Sequence, residues 1–211
     1  MTKTIAIPKG ALMPGHFMAT HQGERIGAEG GVPTLYSIGV SLARIVRFAG
    51  HQEGVYTVLP HSLTVAALMP EGEGIYGLMH DTQECVTSDV PRPMKCDAHS
   101  QVEEIMYARI AEEYGVPYPY PDGVYERVRA ADNKALVAEA YIVGYADPMY
   151  EWFTQQELVM DPEAGRLTRR YVRDVERWMF NPELSGSLFV RKFRQYMAEA
   201  GLEIPQPEAR P

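Results

Sequence analysis

Apolar residues in the first half of the chain recur with helical spacing. A helix over 35–48 would carry five apolar side chains on one face: Leu35, Ile38, Leu42, Ile45 and Val46. This spacing is typical of an amphipathic helix. The pattern predicts a second helix from about 61 to 69, ended by Pro70. After a turn at 71–74, it predicts a third helix from about 75 to 86.

Start signals predict two helices in the middle of the chain. Ser100 and Glu103 match a capping box, which would open a helix to about Tyr114. The run GVPYPYPDG then interrupts the helical pattern. Asp122 at the end of this run is a candidate N-cap for the helix that carries Asp132.

The last third predicts two more helices. Asp161 followed by Pro162 is a start signal, since proline favours the first helical position. Residues 162–180 and 187–200 have the spacing of amphipathic helices, the second ended by Gly201. No alternating apolar and polar pattern of useful strand length appears. The sequence therefore predicts an all-α fold.

The two ends of the chain look different from its middle. Residues 1–33 contain many glycines and prolines without a sustained period, which predicts an irregular N-terminal leader. Residues 201–211 are predicted to be a flexible tail. With 211 residues and 45% apolar content, the chain is long enough for one domain with a substantial core, placed at 34–200.

Charge and cysteine content restrict the partners and the compartment. The net charge of −8 argues against binding to duplex nucleic acid, which needs a basic surface, but not against nucleotides. Cys85 and Cys96 lack the spacing of a structural zinc site and are interpreted as reduced thiols. No signal peptide or membrane span is recognisable, so the sequence predicts a cytoplasmic protein without membrane contacts.

Four residues form a candidate metal site: His61, His80, Asp81 and Asp132. Two imidazoles and two carboxylates are a mixed N/O ligand set that suits a divalent transition metal. Each residue also has a simpler interpretation. His61 would otherwise be a satisfied core or capping histidine, and Asp132 an exposed carboxylate paired with Arg129 one turn earlier. Glu84 follows His80 by four residues, which places both on one helical face.

The stretches around these residues resemble a known family. They are SLARIVRFAGHQEGVYTVLPHSLTVAALM, GLMHDTQECVTSDVPRPMK and VRAADNKALVAEA, within about 34–145. Together they resemble the HD-domain metal phosphohydrolases, in particular the subgroup with bacterial 5′-deoxynucleotidases and phage dATP triphosphohydrolases. The resemblance implies a single HD-domain helical bundle. It also implies that His61, His80, Asp81 and Asp132 bind one divalent metal (Co, Mn, Zn or Fe), with Mg²⁺ possible alongside a triphosphate.

The resemblance assigns further roles within these stretches. Glu84 in HDxxE and Asp89 in DxPxPxK correspond to residues that take part in catalysis, and which one is acid or base stays open. Arg47 would bind phosphate oxygens with its planar guanidinium, and Phe48 would pack on a base or sugar. Lys95 is a further phosphate candidate. The simpler alternative is a helix-terminal Arg47 beside a core Phe48.

The functional expectation is a phosphohydrolase of 2′-deoxynucleotides. The long lead-in to His61 resembles the phage enzymes, which favours hydrolysis of dATP to deoxyadenosine and tripolyphosphate; a 5′-deoxynucleotidase acting on monophosphates is the alternative. A non-catalytic nucleotide sensor is an alternative of another class. A diiron oxygenase is disfavoured because His99 alone lies between the HD pair and Asp132. The resemblance also predicts a homo-oligomer, in the host cytoplasm if phage-encoded.

Overall fold

The computed structural model describes residues 15–28, 30–144 and 147–205, and this part of the chain is mostly helical. Residues 1–14 of the predicted leader and 206–211 of the predicted tail lie outside the described residues. The helices are α1 (Leu35–Leu42), α2 (Val58–Leu68), α3 (Gly74–Met79), α4 (Glu84–Thr87), α5 (Asp97–Glu113), α6 (Val124–Val143), α7 (Asp147–Gln155), α8 (Pro162–Val172), α9 (Val175–Phe180) and α10 (Pro182–Glu199). The prediction of a predominantly helical protein is confirmed.

The leader contains a short hairpin where the sequence predicted irregular structure. Strands β1 (Phe17–Ala19) and β2 (Arg25–Gly27) pair antiparallel, with Met18 opposite Ile26. Ile26 is buried, whereas all three residues of β1 are exposed. Strands of three residues are too short to show an alternating pattern, which explains why the sequence does not reveal them.

The first predicted helix is too long. Helix α1 ends at Leu42, and the segment after it is extended, with Val46 in an antiparallel bridge to Thr57. The Arg47 N–H donates to the carbonyl of Tyr56, and the Val58 N–H donates to the carbonyl of Ile45. The apolar side chains of Ile45 and Val46 therefore belong to a bridge and not to a helical face. This bridge holds Arg47 beside the start of α2.

The core lies between α1, α2, α3 and α10, and glycines bring these helices close together. A Cβ at Gly39 of α1 would lie 2.5 Å from the Cβ of Phe189 on α10. A Cβ at Gly77 of α3 would lie 2.8 Å from the Cα of Ala66 on α2. Real Cβ atoms do not approach so closely, so both helix pairs depend on glycine. Helix α6 packs against α2 and α8 and completes the layer that carries the candidate site.

Two predicted helix starts in the middle of the chain are wrong. Helix α5 begins at Asp97 after an extended Cys96, so Ser100 lies inside the helix and is not its cap. Helix α6 begins after Gly123, which has a φ of 74°, and Asp122 makes no cap bond to it. Glycine accommodates this left-handed conformation without a steric cost.

The start signal at Asp161 is correct. Its side chain accepts hydrogen bonds from the backbone N–H groups of Glu163 and Ala164, with Pro162 at the first helical position. The helix predicted over 162–180 is divided into α8 and α9, and the last helix begins at Pro182 instead of 187. None of the described helices combines the length and the apolar composition that a bilayer-crossing segment needs.

Candidate metal centre

His61 lies in the first turn of α2 and is fully buried. Pro60 is tolerated in this turn because its missing N–H would have no helical partner there. The Nδ1 atom of His61 is 2.7 Å from Oε1 of Glu139. An ionised carboxylate can only accept a hydrogen bond, so Nδ1 carries a proton. Nε2 is therefore the nitrogen left to bind a metal ion or a second proton.

His80 and Asp81 lie where a helix is interrupted. The sequence predicts one helix from 75 to 86, but α3 ends at Met79 and α4 begins at Glu84. The backbone N–H and the hydroxyl of Thr82 both donate hydrogen bonds to the Met79 carbonyl, at 2.9 and 2.8 Å. The turn brings His80 Nε2 and Asp81 Oδ2 to 3.0 Å from each other. His80 Nδ1 donates to the carbonyl of Gly77 at 2.8 Å, so its Nε2 also faces the centre.

Three donor atoms converge at this point. His61 Nε2 lies 3.2 Å from His80 Nε2 and 3.3 Å from Asp81 Oδ2, and the three donor atoms lie within 4.8 Å of one another. Ligands bound to one ion at ~2.1 Å are separated by about 3.0 Å at right angles and about 3.4 Å at tetrahedral angles. The observed separations therefore match ligands that share one ion. The geometry fits the predicted metal-binding role of His61, His80 and Asp81.

Asp132, the fourth predicted ligand, lies at the edge of this group. Its Oδ1 is 3.3 Å from His61 Nε2, and its side chain is 25% exposed against 17% for Asp81. Within the described part of the chain, the charged contact of Asp132 is with His61 and not with Arg129, whose guanidinium lies 5.8 Å from the ring centre of Tyr125. As the most exposed of the four, Asp132 has the greatest freedom to move onto an ion.

Glu139 is the residue that the sequence analysis missed. It is fully buried on α6, two turns after Asp132. Oε1 accepts from His61 Nδ1 at 2.7 Å, and Oε2 accepts from Arg47 Nε at 2.9 Å. A carboxylate behind a ligating histidine fixes the orientation of the ring and raises its basicity. Glu139 follows Asp132 by seven residues and so shares its helical face, but nothing in the local sequence indicates that this face is buried.

Arg47 and Phe48 are held mainly by contacts inside the protein. Arg47 is buried, and besides its pair with Glu139 its Nη1 lies 3.8 Å from Asp81 Oδ2. Phe48 has a φ of 55° and packs against the apolar cluster that contains Val137 and Phe153. Arg47 thus lies beside the candidate ligands, where a phosphate oxygen would be within its reach. Phe48 therefore packs in the core, which is the simpler of the two alternatives that the sequence offered for it.

Glu84 and Asp89 lie next to the converging donors. Glu84 is 3% exposed, and within the described part of the chain its Oε2 has no hydrogen-bond partner. Burial and the negative charges of Asp81 and Asp89 raise the pKa of Glu84 to about 10. Burial also raises the pKa of Asp89, with Asp81 adding to the rise and Arg47 opposing it. Both predicted proton carriers therefore have environments that shift their pKa towards neutral pH or beyond it.

Lys95 is already paired. Its Nζ donates to both carboxylate oxygens of Glu103, at 2.9 and 3.0 Å. His99 lies on the other side, with Nε2 3.2 Å from Glu103 Oε1. The predicted contact of Lys95 with phosphate would add to this pair or replace it.

The electrostatics of the centre favour a bound positive charge. Burial and Arg47 lower the pKa of His61, but the carboxylates of Glu139, Asp132 and Asp81 prevail and raise it well above its usual value. Burial raises the pKa of Asp81, but the neighbouring His80 and His61 hold it well below its usual range. The three carboxylates thus stabilise a cation, and in the metal-free protein a proton on His61 takes that place.

Comparison with known proteins yields one partial relative. No protein-family model matches the chain. A segment of 82 residues is 39% identical to Uncharacterized protein YfdR of Escherichia coli (strain K12). The segment is 38% of this chain and spans 46% of that relative, less than half of its length. The similarity does not establish a family.

Proposed function

We propose that this chain is an HD-domain phosphohydrolase that binds one divalent transition metal and hydrolyses the 5′ phosphate ester of a 2′-deoxynucleotide. His61, His80, Asp81 and Asp132 are the proposed ligands. Arg47 is the proposed phosphate contact, and Glu84 and Asp89 are the proposed proton carriers. The resemblance of the sequence stretches around these residues supports the family assignment.

The observation that carries the proposal is the orientation of the two histidines. Each has its Nδ1 proton committed, to Glu139 in one case and to Gly77 O in the other. Their Nε2 atoms lie 3.2 Å apart, with Asp81 Oδ2 within 3.3 Å of both. Acceptor atoms at such separations are stabilised by a cation between them, which is a metal ion when one is bound and a proton on His61 when none is.

Glu84 supports catalysis in addition to metal binding. Glu84 is buried, and burial and the negative charges of Asp81 and Asp89 raise its pKa to about 10, which makes it a carboxyl that can donate a proton. A divalent metal held here supplies Lewis acidity towards a phosphoryl oxygen and lowers the pKa of a water molecule. One of Glu84 and Asp89 then takes the proton from the attacking water as its oxygen bonds to phosphorus, and the other delivers a proton to the leaving 5′ oxygen as its bond to phosphorus breaks. Arg47 offers its remaining N–H groups to the phosphoryl oxygens.

The resemblance to phage enzymes favours dATP as the substrate, with deoxyadenosine and tripolyphosphate as products. A 5′-deoxynucleotidase is the alternative, and the same attack at the 5′-linked phosphorus accounts for both. The difference depends on the space and positive charge beyond that phosphorus.

Metal removal and reloading tests the proposal. The protein is stripped with a chelator and reloaded separately with Mg²⁺, Mn²⁺, Co²⁺ and Zn²⁺. Metal content is then measured by mass spectrometry, and deoxy- and ribonucleoside mono-, di- and triphosphates are assayed by chromatography. We expect about one metal per chain and release of deoxyadenosine and tripolyphosphate from dATP. Orthophosphate released only from monophosphates would instead identify a 5′-deoxynucleotidase.

Matched variants locate the activity. Asp81→Ala and Asp132→Ala should lose metal and turnover, whereas Glu84→Ala should keep the metal and slow the reaction. His51→Ala, a change at an exposed histidine outside the ligand set, should behave like the wild type. Full metal content and activity in Asp132→Ala would show that the ligand set is wrong. Tight nucleotide binding without turnover would show a sensor instead of an enzyme.

A further inference from the structure

Five tyrosine rings form a cluster next to the metal centre: Tyr76, Tyr107, Tyr118, Tyr120 and Tyr125. Tyr120 lies in the middle of this tyrosine cluster. Its ring centre is 5.9 Å from that of Tyr76, 5.7 Å from Tyr107, 5.7 Å from Tyr118 and 6.1 Å from Tyr125. These separations are within the range of attractive aromatic pairs. The rings therefore support one another and hold Tyr120 in place.

Two members of the cluster share helix faces with candidate ligands. Tyr76 precedes His80 by four residues, which is about one helical turn. Tyr125 precedes Asp132 by seven residues, or about 10.5 Å along the axis of α6. Tyr120 contacts both tyrosines, so it lies between the metal-bearing faces of α3 and α6. The negative charge of Asp81 reaches it there, since burial and Asp81 both raise the pKa of the Tyr120 phenol.

Three side chains that carry polar groups lie along one face of α6, with the buried Val128 and Ala135 between them. Tyr125, Asp132 and Glu139 follow one another at seven-residue steps, and are 51%, 25% and 0% exposed. Glu139 is thus the deep end of the site, and Tyr125 is its opening to solvent. A substrate whose phosphate reaches the metal centre would extend from there towards Tyr125.

The opening has the chemistry that a nucleobase requires. Tyr125 is 51% exposed, which core packing does not explain, whereas Tyr76 and Tyr107 are buried. The Arg129 guanidinium lies 5.8 Å from the ring centre of Tyr125 and adds a planar cation. Nucleic-acid bases stack on aromatic rings and on arginine with little dependence on base identity.

We propose that Tyr125, with the neighbouring Tyr120 and the guanidinium of Arg129, is the stacking platform for the base of a nucleotide whose phosphate lies at the candidate metal centre. This inference rests on the proposed function for the phosphate, but the platform itself needs no metal. The base lies about two helical turns from the ligands, and the sugar spans the interval.

The kinetic test compares a nucleotide with its base-free analogue. The nucleotide is dATP or dAMP, whichever the wild type hydrolyses, and the analogue is 2-deoxyribose carrying the same phosphates. Loss of one stacked base corresponds to about tenfold in KM. Tyr125→Ala should therefore raise KM about tenfold for the nucleotide, with kcat and the analogue unaffected, and Tyr125→Phe should restore it. An equal change for both substrates, or none, would overturn the platform.

Tyr141 provides the matched control. It lies on the same helix and is 45% exposed, but it is nine residues beyond Asp132 and stacks on Tyr150 with ring centres 4.7 Å apart. Tyr141→Ala should leave KM unchanged for both substrates. A rise equal to that of Tyr125→Ala would show a general effect of removing an exposed tyrosine and would overturn the assignment.

A binding test separates this inference from the proposed function. Saturation-transfer NMR with deoxyadenosine and the full chain in chelator requires neither metal nor turnover. Transfer to the adenine protons is expected for the wild type and Tyr141→Ala and should be lost in Tyr125→Ala. No transfer in the wild type, or undiminished transfer in Tyr125→Ala, would overturn the platform. Normal transfer in a protein that hydrolyses no nucleotide would support the platform and refute the phosphohydrolase.

Discussion

Two charged clusters of this protein contain similar residues but differ in how their charges balance. In the lysine cluster, formed by Lys95, His99 and Glu103, one carboxylate accepts from an ammonium and faces an imidazole. At the candidate metal centre two imidazole Nε2 atoms face each other and carboxylate oxygens, so acceptors are in excess. Residue types alone would not distinguish the two. The direction of each donor and acceptor does, and it indicates which cluster needs a cation.

Replacing the central carboxylate of each cluster with an amide should give the largest difference between the two clusters in stability and metal affinity. Glu139→Gln leaves the buried Arg47 without its main partner and removes the acceptor that orients His61. We expect a loss of about 3–5 kcal/mol in the free energy of unfolding, as for other broken buried pairs. Metal affinity should fall about 10–100-fold. Urea unfolding and metal titration measure the two effects.

Glu103→Gln is the control for this change, because the Lys95 ammonium it releases is partly exposed. Its loss of stability should stay below about 1 kcal/mol, with metal affinity unchanged. Equal losses in the two variants would mean that the pairing of Glu139 has no special role.

The gain in stability on metal binding should distinguish His80 at the candidate metal centre from His99 in the lysine cluster. A ligand at 100 times its Kd stabilises the folded state by about 2.7 kcal/mol. Saturating Mn²⁺ or Zn²⁺ should therefore raise the free energy of unfolding of the wild type and of His99→Ala by about this amount. His80→Ala, which removes one converging donor, should show little or no rise in urea unfolding with and without metal. A similar rise in all three proteins would locate the metal elsewhere.

The sequence predicted much of the helical content, but not the points where helices stop. Helix α2 and the start of α8 follow from apolar spacing and from the Asp161–Pro162 signal, which are local properties. The break after Met79 has no glycine or proline to announce it. It depends on Thr82, whose hydroxyl competes for a helical carbonyl. The early end of α1 depends on the bridge between Val46 and Thr57, which is a tertiary contact.

The candidate site was predictable where residues stand out from their local pattern. His61, His80 and Asp81 lie on apolar backgrounds, and the structure brings their donor atoms together. Glu139 looks like an ordinary solvated residue of an Ala-rich helix, since nothing local shows that α6 turns this face inwards. Its burial arises from packing against other helices, which one sequence does not display. The paired state of Lys95 likewise depends on Glu103, eight residues away on α5.

The pH dependence of stability in the metal-free protein tests how the charges of the two clusters differ. Burial and the negative charges of Asp81 and Asp89 raise the pKa of Glu84 to about 10 in the folded protein, from about 4.5 for an exposed carboxyl in the unfolded chain. The folded state therefore retains a proton that the unfolded state has lost. As a result, stability falls as the pH rises from about 4.5 towards 10. Glu84→Gln cannot ionise, so its urea unfolding in chelator should lose less stability between pH 6 and 9.

A matched change in the lysine cluster gives the reference dependence of stability on pH. Glu103→Gln should follow the wild type over the same range of pH. If the pH profiles of wild type and Glu84→Gln were parallel, Glu84 would be ionised in the folded protein and its proposed role as a proton carrier would need another source of protons.

Removal of the Lys95 charge should have the smallest effect on stability and tests whether the lysine cluster also serves the substrate. Its side chain is 27% exposed, so Lys95→Met should cost less than about 1 kcal/mol in the free energy of unfolding. The negative charges of Glu103, Glu84 and Asp81 nevertheless contribute to the raised pKa of Lys95, which places the ammonium within electrostatic reach of the candidate metal centre.

If Lys95 contacts phosphate, KM for the nucleotide should rise several-fold in Lys95→Met. Lys192→Met, at an exposed lysine on α10 that bonds Gln195, should leave KM unchanged. An unchanged KM in both variants would show that Lys95 serves only to neutralise Glu103, and the two clusters would then be independent.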